Sequence, residues 1–285
     1  MSKIIDGKLI SNMLKDELKE EVVRLKEKGV TPGLAVILVG DNSASQVYVG
    51  NKKKACEYVG IKSFSYELPT ETSEEELLEL IDTLNQDERV HGILVQLPLP
   101  KHMNEQKVIM RISPSKDVDG FHPQSVGALS IGLPGFVSCT PAGIIELLKR
   151  SDVEIVGKHC VIVGRSNIVG KPVSLLLLRE HGTVTICHSK TNNLTDILQQ
   201  ADIVIAAVGI PKFIKGEQLK AEAVVIDVGI NRDENGKLCG DVDFESTKDC
   251  VAAITPVPGG VGPMTIAMLM KNCVLAAKSR LTNQS

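Results

Sequence analysis

The chain has 285 residues, of which 43% are hydrophobic, and its formal net charge is −3. That length allows two domains with separate cores, and the slightly acidic balance gives no sign of a nucleic-acid partner. The seven cysteines are an odd number without a CxxC pair, which favours free thiols in a reducing compartment over a disulfide framework. The N-terminus lacks an apolar signal core, and no apolar run approaches the ~20 residues of a membrane helix. We therefore expect a cytoplasmic protein without a membrane partner.

The first half of the chain alternates helical and extended patterns. Ser73 and Glu76 form the capping box of a further helix, and Gly29 and Gly60 end earlier ones. In chain order the other predicted elements are a helix over 11–28, a strand over 34–39, a helix over 45–59 and strands over 61–68 and 92–97. Such alternation is typical of βαβ units with a parallel sheet.

A second α/β unit is predicted from about Thr140, where the hydroxyl would cap a helix that has Pro141 in its first turn. The elements predicted after it are strands over 159–163, 183–187, 203–208 and 224–228, a helix over 172–180 and a last helix over 264–278. The pattern alone leaves open which unit the last helix joins.

The turn from Gly164 to Gly170 lies between a predicted strand and a helix, where backbone N–H groups and the helix dipole favour a pyrophosphate. It is not a regular GxGxxG, so a tight turn without a ligand is the alternative. The next strand ends at Cys187 without the carboxylate that binds the ribose of NAD. Arg165 and Ser189 could bind a 2′-phosphate instead, which favours NADP, whereas an ordinary polar loop is the other interpretation.

A possible chemical site begins on the second helix, where Ser45, Tyr48 and Lys52 are spaced to share one face. Lys52 could transfer protons if burial lowers its pKa, and a solvated face is the alternative. Gln96 ends an aliphatic strand, where its neutral amide could bond a lysine without adding negative charge. A glutamine that simply faces water is equally compatible with the sequence.

Two further segments carry groups suited to binding. Asp117 and Asp119 lie in one turn that lacks the other oxygen ligands of a metal loop, so we expect one carboxylate to be a binding anchor and predict no metal. The Pro- and Gly-rich segment 255–265 could bring backbone close to a flat ligand or to phosphates. As a bare pattern it could equally be an interdomain linker.

Together these motifs resemble one family, the bifunctional methylenetetrahydrofolate dehydrogenase/methenyltetrahydrofolate cyclohydrolases. The matching segments occur in the family's order and are 45–52 (SQVYVGNK), 95–100 (VQLPLP), 116–120 (KDVDG), 164–172 (GRSNIVGKP) and 256–265 (PVPGGVGPMT). One departure is Ser138, since the family usually has Pro before the residue equivalent to Cys139. We expect this to change the linker locally without loss of activity.

The resemblance implies a two-domain α/β fold with a cleft between the domains. Residues 1–138, completed by the C-terminal helix 264–285, would form a three-layer α/β catalytic domain that binds folate. Residues 139–263 would form a Rossmann-like NADP-binding domain. The implied activities are oxidation of methylenetetrahydrofolate by NADP and hydrolysis of the methenyl product to 10-formyltetrahydrofolate. A homodimer joined through the nucleotide domains is also implied.

The resemblance also implies roles for single residues. Lys52 looks like the catalytic lysine, Tyr48 like the ring that stacks on folate and places Lys52, Gln96 like the residue that tunes it, and Asp119 like the pterin anchor. The implied substrate contacts are Ser45, Tyr48, Pro258, Gly259, Gly260, Pro263 and Thr265, and the implied cofactor contacts are Gly164, Arg165, Ser166, Ser189 and Ile230.

Two alternative functions stay open at this stage. One is another two-domain NADP dehydrogenase, acting on shikimate or an amino acid, which would not explain Tyr48, Lys52, Gln96 and the segment 258–265 together. The other is a non-catalytic protein of the same fold that binds NADP or folate without turnover. Reduction of NADP in the presence of methylenetetrahydrofolate distinguishes both from the bifunctional enzyme.

Overall fold

The computed structural model describes residues 2–282, and its contacts divide the chain into two units. The six-stranded unit combines the described residues up to Ser11 with Thr140–Thr265. The three-stranded unit combines Asn12–Cys139 with the chain from Ile266 onward. Within the described range, no helix has both the length and the apolarity needed to cross a membrane.

The secondary structure alternates strands and helices along most of the chain. The strands are β1 (Lys3–Ile4), β2 (Gly33–Val39), β3 (Lys62–Leu68), β4 (Gly92–Val95), β5 (His159–Val163), β6 (Thr183–Cys187), β7 (Ile203–Ala206), β8 (Val224–Asp227), β9 (Asn231–Arg232), β10 (Leu238–Cys239) and β11 (Ala253–Ile254). The helices are α1 (Gly7–Glu27), α2 (Ser43–Val59), α3 (Glu74–Gln86), α4 (Glu105–Arg111), α5 (Pro123–Ser130), α6 (Cys139–Arg150), α7 (Gly170–Arg179), α8 (Leu194–Leu198), α9 (Phe244–Thr247) and α10 (Val261–Thr282).

The six-stranded unit is built on a parallel sheet with the order β1-β11-β8-β7-β5-β6. Its central strands are aliphatic runs such as the buried Val161 and Val163, as expected for strands covered on both faces. The chain leaves β5 for β6 on one side and then continues to β7 on the other. The carboxyl ends of β5 and β7 therefore flank a topological switch point, where open α/β sheets bind their ligands.

The three-stranded unit has a parallel sheet with the order β3-β2-β4. Every residue of β2 is buried, and Ile37 lies opposite Val95 of β4. Helix α2 leaves the carboxyl end of β2, and Gln96 follows the carboxyl end of β4. This topology brings α2 and Gln96 to the same edge of the sheet.

The structure confirms the predicted α/β class with a parallel Rossmann-like sheet and several local details. Strands β5 and β6 have the predicted bounds, and the Ser73–Glu76 capping box is formed. Gly60 ends α2 in the left-handed region with φ 90°. One detail was wrong: α6 begins at Cys139, so Thr140 is no N-cap, and its hydroxyl instead bonds the Thr265 hydroxyl at 2.9 Å.

Candidate functional site

A hydrogen bond joins Lys52 of α2 to Gln96 at the end of β4. The Lys52 Nζ donates to Gln96 Oε1 at 2.8 Å. Gln96 itself is held twice, since its backbone N–H donates to Ile37 O at 2.8 Å and its Nε2 donates to Leu97 O at 2.7 Å. Because the amide nitrogen is occupied by Leu97, the amide oxygen is left to face the lysine. The two residues that the sequence placed on separate elements are therefore brought into direct contact.

The surroundings of Lys52 favour loss of its proton. Burial lowers the pKa of Lys52 below its ordinary 10.5, and the nearby Asp119 carboxylate opposes this shift without reversing it. Burial also raises the pKa of Asp119, while Lys52 acts to lower it. Gln96 accepts a hydrogen bond but adds no charge that would hold the proton on the lysine. The site thus holds an amine that is more easily neutral than a lysine in water.

The other residues predicted on the face of Lys52 have different environments. Ser45 is buried, and its backbone N–H donates to the Oδ1 of the cap residue Asn42 at 3.0 Å. Tyr48 is 38% exposed, which leaves its ring available to a flat ligand. The neighbouring Lys53 and Lys54 are exposed, so these two lysines lie on a solvated face.

The structure separates the roles of the charged residues in the turn before α5. Asp117 is a structural residue, because its carboxylate accepts hydrogen bonds from the backbone N–H groups of Phe121 and His122 and from the Ser125 hydroxyl. Asp119 is the carboxylate that interacts electrostatically with Lys52. Among the described residues, no group of three or more His, Cys, Asp or Glu side chains could hold a metal ion.

Asn272 of α10 is a residue beside this site that the sequence interpretation missed. Its Nδ2 donates to Val118 O at 2.8 Å and to Val137 O at 2.9 Å. The Cys139 thiol also donates to Val118 O, at 3.4 Å. These bonds fix the backbone next to Asp119. The available signal was a buried amide between the apolar runs 266–270 (IAMLM) and 273–277 (CVLAA).

The glycine turn after β5 is built for close backbone contact. Gly164 has φ +130°, and a Cβ there would lie 2.1 Å from Ala207 O. A Cβ at Gly170 would lie 2.3 Å from Gly164 O. The Ser166 Oγ accepts hydrogen bonds from the N–H groups of Val169 at 3.1 Å and of Gly170 at 3.3 Å, so this hydroxyl organises the turn. Only glycine fits the first and last positions of the turn.

The side chains around this turn are open and suited to NADP. Arg165 and Ser189 are exposed, and Ile230 after β8 is 52% exposed. Residues 187–190, which end and follow β6, contain no carboxylate that would repel a 2′-phosphate. Because residue 164 is a glycine, no side chain covers the backbone at the carboxyl end of β5. The residues present therefore fit a phosphorylated dinucleotide.

The Pro- and Gly-rich segment is a fixed loop of the six-stranded unit. Gly259 has φ +106°, and its carbonyl accepts the Lys8 N–H at 2.9 Å. The Ser11 Oγ donates to Pro263 O at 3.0 Å. A Cβ on Gly7 would lie 1.8 Å from Gly260 O, so α1 starts directly against the loop. These contacts do not fit a loose linker. The peptides before Pro258 and Pro98 are cis.

Comparison with known proteins gives matches over nearly the whole chain. Residues 5–119 match the catalytic domain of the tetrahydrofolate dehydrogenase/cyclohydrolase family, and residues 138–281 match its NAD(P)-binding domain. The bifunctional protein FolD of Lachnoclostridium phytofermentans is 68% identical over 278 residues, which cover 98% of this chain and 99% of that protein.

Solved structures agree with these sequence matches. The bifunctional methylenetetrahydrofolate dehydrogenase/cyclohydrolase FolD from Campylobacter jejuni is 52% identical, with a TM-score of 0.96, over 98% of this chain and 100% of that chain. The Trypanosoma brucei methylenetetrahydrofolate dehydrogenase-cyclohydrolase, solved with NADP cofactor and inhibitor, is 42% identical with a TM-score of 0.94 over 98% of each chain.

Proposed function

The chain belongs to the tetrahydrofolate dehydrogenase/cyclohydrolase family and is a bifunctional folate enzyme, and we propose that Lys52 carries the proton transfers of its hydrolytic step. The enzyme oxidises methylenetetrahydrofolate with NADP and hydrolyses the methenyl product to 10-formyltetrahydrofolate. The observation that carries the proposal is the 2.8 Å contact between Lys52 Nζ and the neutral amide of Gln96.

In the oxidative step, NADP supplies the hydride acceptor when it is bound. Gly164, Arg165, Ser166, Ser189 and Ile230 are the residues proposed to hold it. The lone pairs of the folate nitrogens stabilise the cation left after hydride loss, so this step needs no strong base on the protein. The contribution of the chain to it is orientation and exclusion of water.

In the hydrolytic step, water adds to the methenyl carbon and a proton must leave the attacking oxygen. Neutral Lys52 accepts that proton and becomes an ammonium ion. A carbon–nitrogen bond of the ring then breaks as the new hydroxyl loses its remaining proton and becomes the formyl carbonyl. Lys52 returns its proton to the released nitrogen, and the net proton of the reaction leaves to solvent. A lysine with a lowered pKa suits this exchange because it returns the proton readily.

The remaining substrate contacts are proposals that rest on the resemblance and on local geometry. Asp119 is proposed to anchor the pterin. Two observations support this role: the Asp119 carboxylate is half-buried, and it interacts electrostatically with Lys52. Tyr48 is proposed to stack on the folate, as its exposed ring permits. Ser45, three residues before Tyr48, is proposed as a further substrate contact. The assignment of Pro258, Gly259, Gly260, Pro263 and Thr265 to substrate binding stays a prediction.

The activity is tested by the absorbance of NADPH when protein, NADP and methylenetetrahydrofolate are mixed. We expect NADPH to form in proportion to enzyme, and none to form when the folate is omitted. A parallel reaction with NAD measures the cofactor preference, which we expect to favour NADP. Absence of reduction at micromolar protein would favour the binding protein without turnover.

We further propose that two chains associate through the six-stranded unit. Among the described residues β6 pairs with β5 alone, so its other edge is open. That edge carries Ile186, which is 39% exposed, and Leu178 of α7 is 59% exposed. An open strand with apolar side chains is a surface that proteins normally cover.

Sedimentation velocity tests this association. We expect the wild-type chain to sediment as a dimer and Ile186→Lys to sediment as a monomer, because the lysine charge would be buried at the interface. Leu238→Lys is the matched control, since Leu238 is similarly exposed but lies on β10. A monomeric wild type, or a dimeric Ile186→Lys variant, would contradict the proposed interface.

Domain limits and location are proposals as well. We propose a folate-binding domain of residues 1–138 completed by 264–285, with residues 139–263 as the NADP-binding domain. The division of the structure into two units supports the limits near residues 139 and 264, whereas the described residues up to Ser11 group with the six-stranded unit. A cytoplasmic location is proposed because all seven cysteines are free, which suits a reducing compartment.

A further inference from the structure

A buried carboxylate, Asp241, ties together the loops that follow β7 and β8, and we infer that it is a positioning residue for the dinucleotide. The inference rests on the proposed function, because it takes the glycine turn after β5 as the NADP site. Asp241 follows β10, and the four hydrogen bonds of its side chain go to residues other than the five assigned to the cofactor. Its effect would pass through the backbone.

Four hydrogen bonds converge on the Asp241 carboxylate, which has 0% exposure. The Oδ2 atom accepts the backbone N–H groups of Val208 at 2.6 Å and of Gly209 at 3.0 Å. The Oδ1 atom accepts the N–H of Ile210 at 3.1 Å and the Nδ2 of Asn231 at 2.8 Å. Three successive amides after β7 and one side chain after β8 are therefore held by one residue.

A second carboxylate holds Asp241 in place. The Asp227 Oδ1 accepts the N–H groups of Gly229 and Asp241, and its Oδ2 accepts that of Val242, all at 2.9 Å. A Cβ on Gly240 would lie 1.8 Å from Asp227 Oδ2, so the backbone at Gly240 packs directly against this carboxylate and leaves no room for a side chain. The geometry of Asp241 is thus fixed from the end of β8.

The loops held by Asp241 support the two sides of the proposed cofactor site. Val208 follows Ala207, whose carbonyl oxygen would lie 2.1 Å from a Cβ on Gly164. Ala207 also donates its N–H to Val163 O at 2.8 Å, directly before the glycine turn. On the other side Asn231 follows the exposed Ile230. Movement of the Asp241 carboxylate would therefore shift both the backbone beneath Gly164 and the position of Ile230.

A carboxylate is the group required here, because all four partners are donors. An asparagine presents one oxygen and one NH₂ group, so at least one pair of donors would face another donor. Buried donors left without acceptors are costly, and the loop would move to satisfy them. All of these groups lie at the carboxyl ends of the strands, where α/β sheets bind ligands.

The test is Asp241→Asn in the full-length enzyme, with Asp243→Asn as the matched control. Asp243 hydrogen-bonds through its backbone: its N–H donates to Ile214 O, and its carbonyl accepts the Ser246 and Thr247 hydroxyls. NADP binding is measured by isothermal titration calorimetry without folate. We expect Asp241→Asn to raise the Kd for NADP about tenfold or more, as for loss of hydrogen bonds to a charged group. Hydrolysis of methenyltetrahydrofolate, measured without NADP, should stay within about twofold of the control.

The outcomes separate a positioning role from a general structural one. An unchanged Kd for NADP in Asp241→Asn, or an equal loss of NADP binding and of hydrolysis, would overturn the inference. If Asp241→Asn does not fold, Asn231→Ala decides, because it removes a single donor from the carboxylate. It should raise the Kd for NADP and spare hydrolysis, and a wild-type Kd would again overturn the inference. Failure of the wild-type enzyme itself to bind NADP would instead refute the proposed function.

Discussion

Replacing Lys52 by Gln is expected to slow hydrolysis of methenyltetrahydrofolate by about 10²–10⁴-fold, the range for loss of a general acid–base group. Glutamine is one atom shorter than lysine and carries a neutral amide that can form hydrogen bonds, but it cannot accept a proton. The measurement is the decay of methenyl absorbance under single-turnover conditions, which isolates hydrolysis from product release. Oxidation of methylenetetrahydrofolate should fall less, by roughly tenfold, because it depends mainly on alignment.

Lys53→Gln is the control for this experiment. Lys53 adjoins Lys52 on α2, and its side chain is exposed, so the substitution removes the same charge outside the site. We expect wild-type hydrolysis and an unchanged thermal midpoint. Retention of full hydrolytic activity in Lys52→Gln would remove the lysine from the mechanism. Equal loss of both activities, with a lowered thermal midpoint, would indicate a structural role.

The contact on which this prediction rests could largely be anticipated from the sequence. Regular βα alternation places the carboxyl ends of β2 and β4 at one edge, and Gln96 and α2 follow those ends directly. What the pattern could not supply was the orientation of the amide. That orientation depends on Leu97 O, which occupies the Nε2 atom and leaves the oxygen for Lys52.

The two carboxylates of the 116–120 turn show where sequence reasoning stopped. Asp117 and Asp119 have the same chemistry and lie two residues apart. Their difference arises because the backbone folds the Phe121 and His122 amides around Asp117. Such a cap depends on the exact course of the turn, for which periodicity carries no information. Asn272 was missed for a related reason, since its partners lie more than 130 residues earlier in the chain.

Elements with strong patterns were predicted well, and short ones were not. Strands β5 and β6 are bounded by glycine turns or loop residues and have the predicted limits. Helix α4 has seven residues and α5 has eight, too few for a clear helical period. At Thr140 the local capping signal was overridden, because the hydroxyl bonds the distant Thr265 instead. Tertiary contacts of this kind are invisible to local propensity.

Replacing Gln96 by Glu is expected to move the acid limb of the hydrolysis profile to higher pH. Gln96 Oε1 lies 2.8 Å from Lys52 Nζ, so a carboxylate there would stabilise the ammonium form. An opposite charge at this distance raises the pKa of a lysine. Burial now lowers the pKa of Lys52, and the new charge would act in the opposite direction. Because the neutral amine is the reactive form, the higher pKa leaves less of it at neutral pH, and we expect hydrolysis there to slow about tenfold or more.

Gln96→Met separates the effect of charge from the loss of the amide. Methionine has a similar length and no charge, so it removes the hydrogen bond without stabilising the ammonium form. In Gln96→Glu, kcat/KM for hydrolysis should therefore recover as the pH is raised. In Gln96→Met, the acid limb of the kcat/KM profile should not move to higher pH. Parallel profiles for the two variants would mean that Gln96 only positions Lys52. Undiminished hydrolysis by Gln96→Glu at neutral pH would mean that the protonation of Lys52 does not limit the reaction.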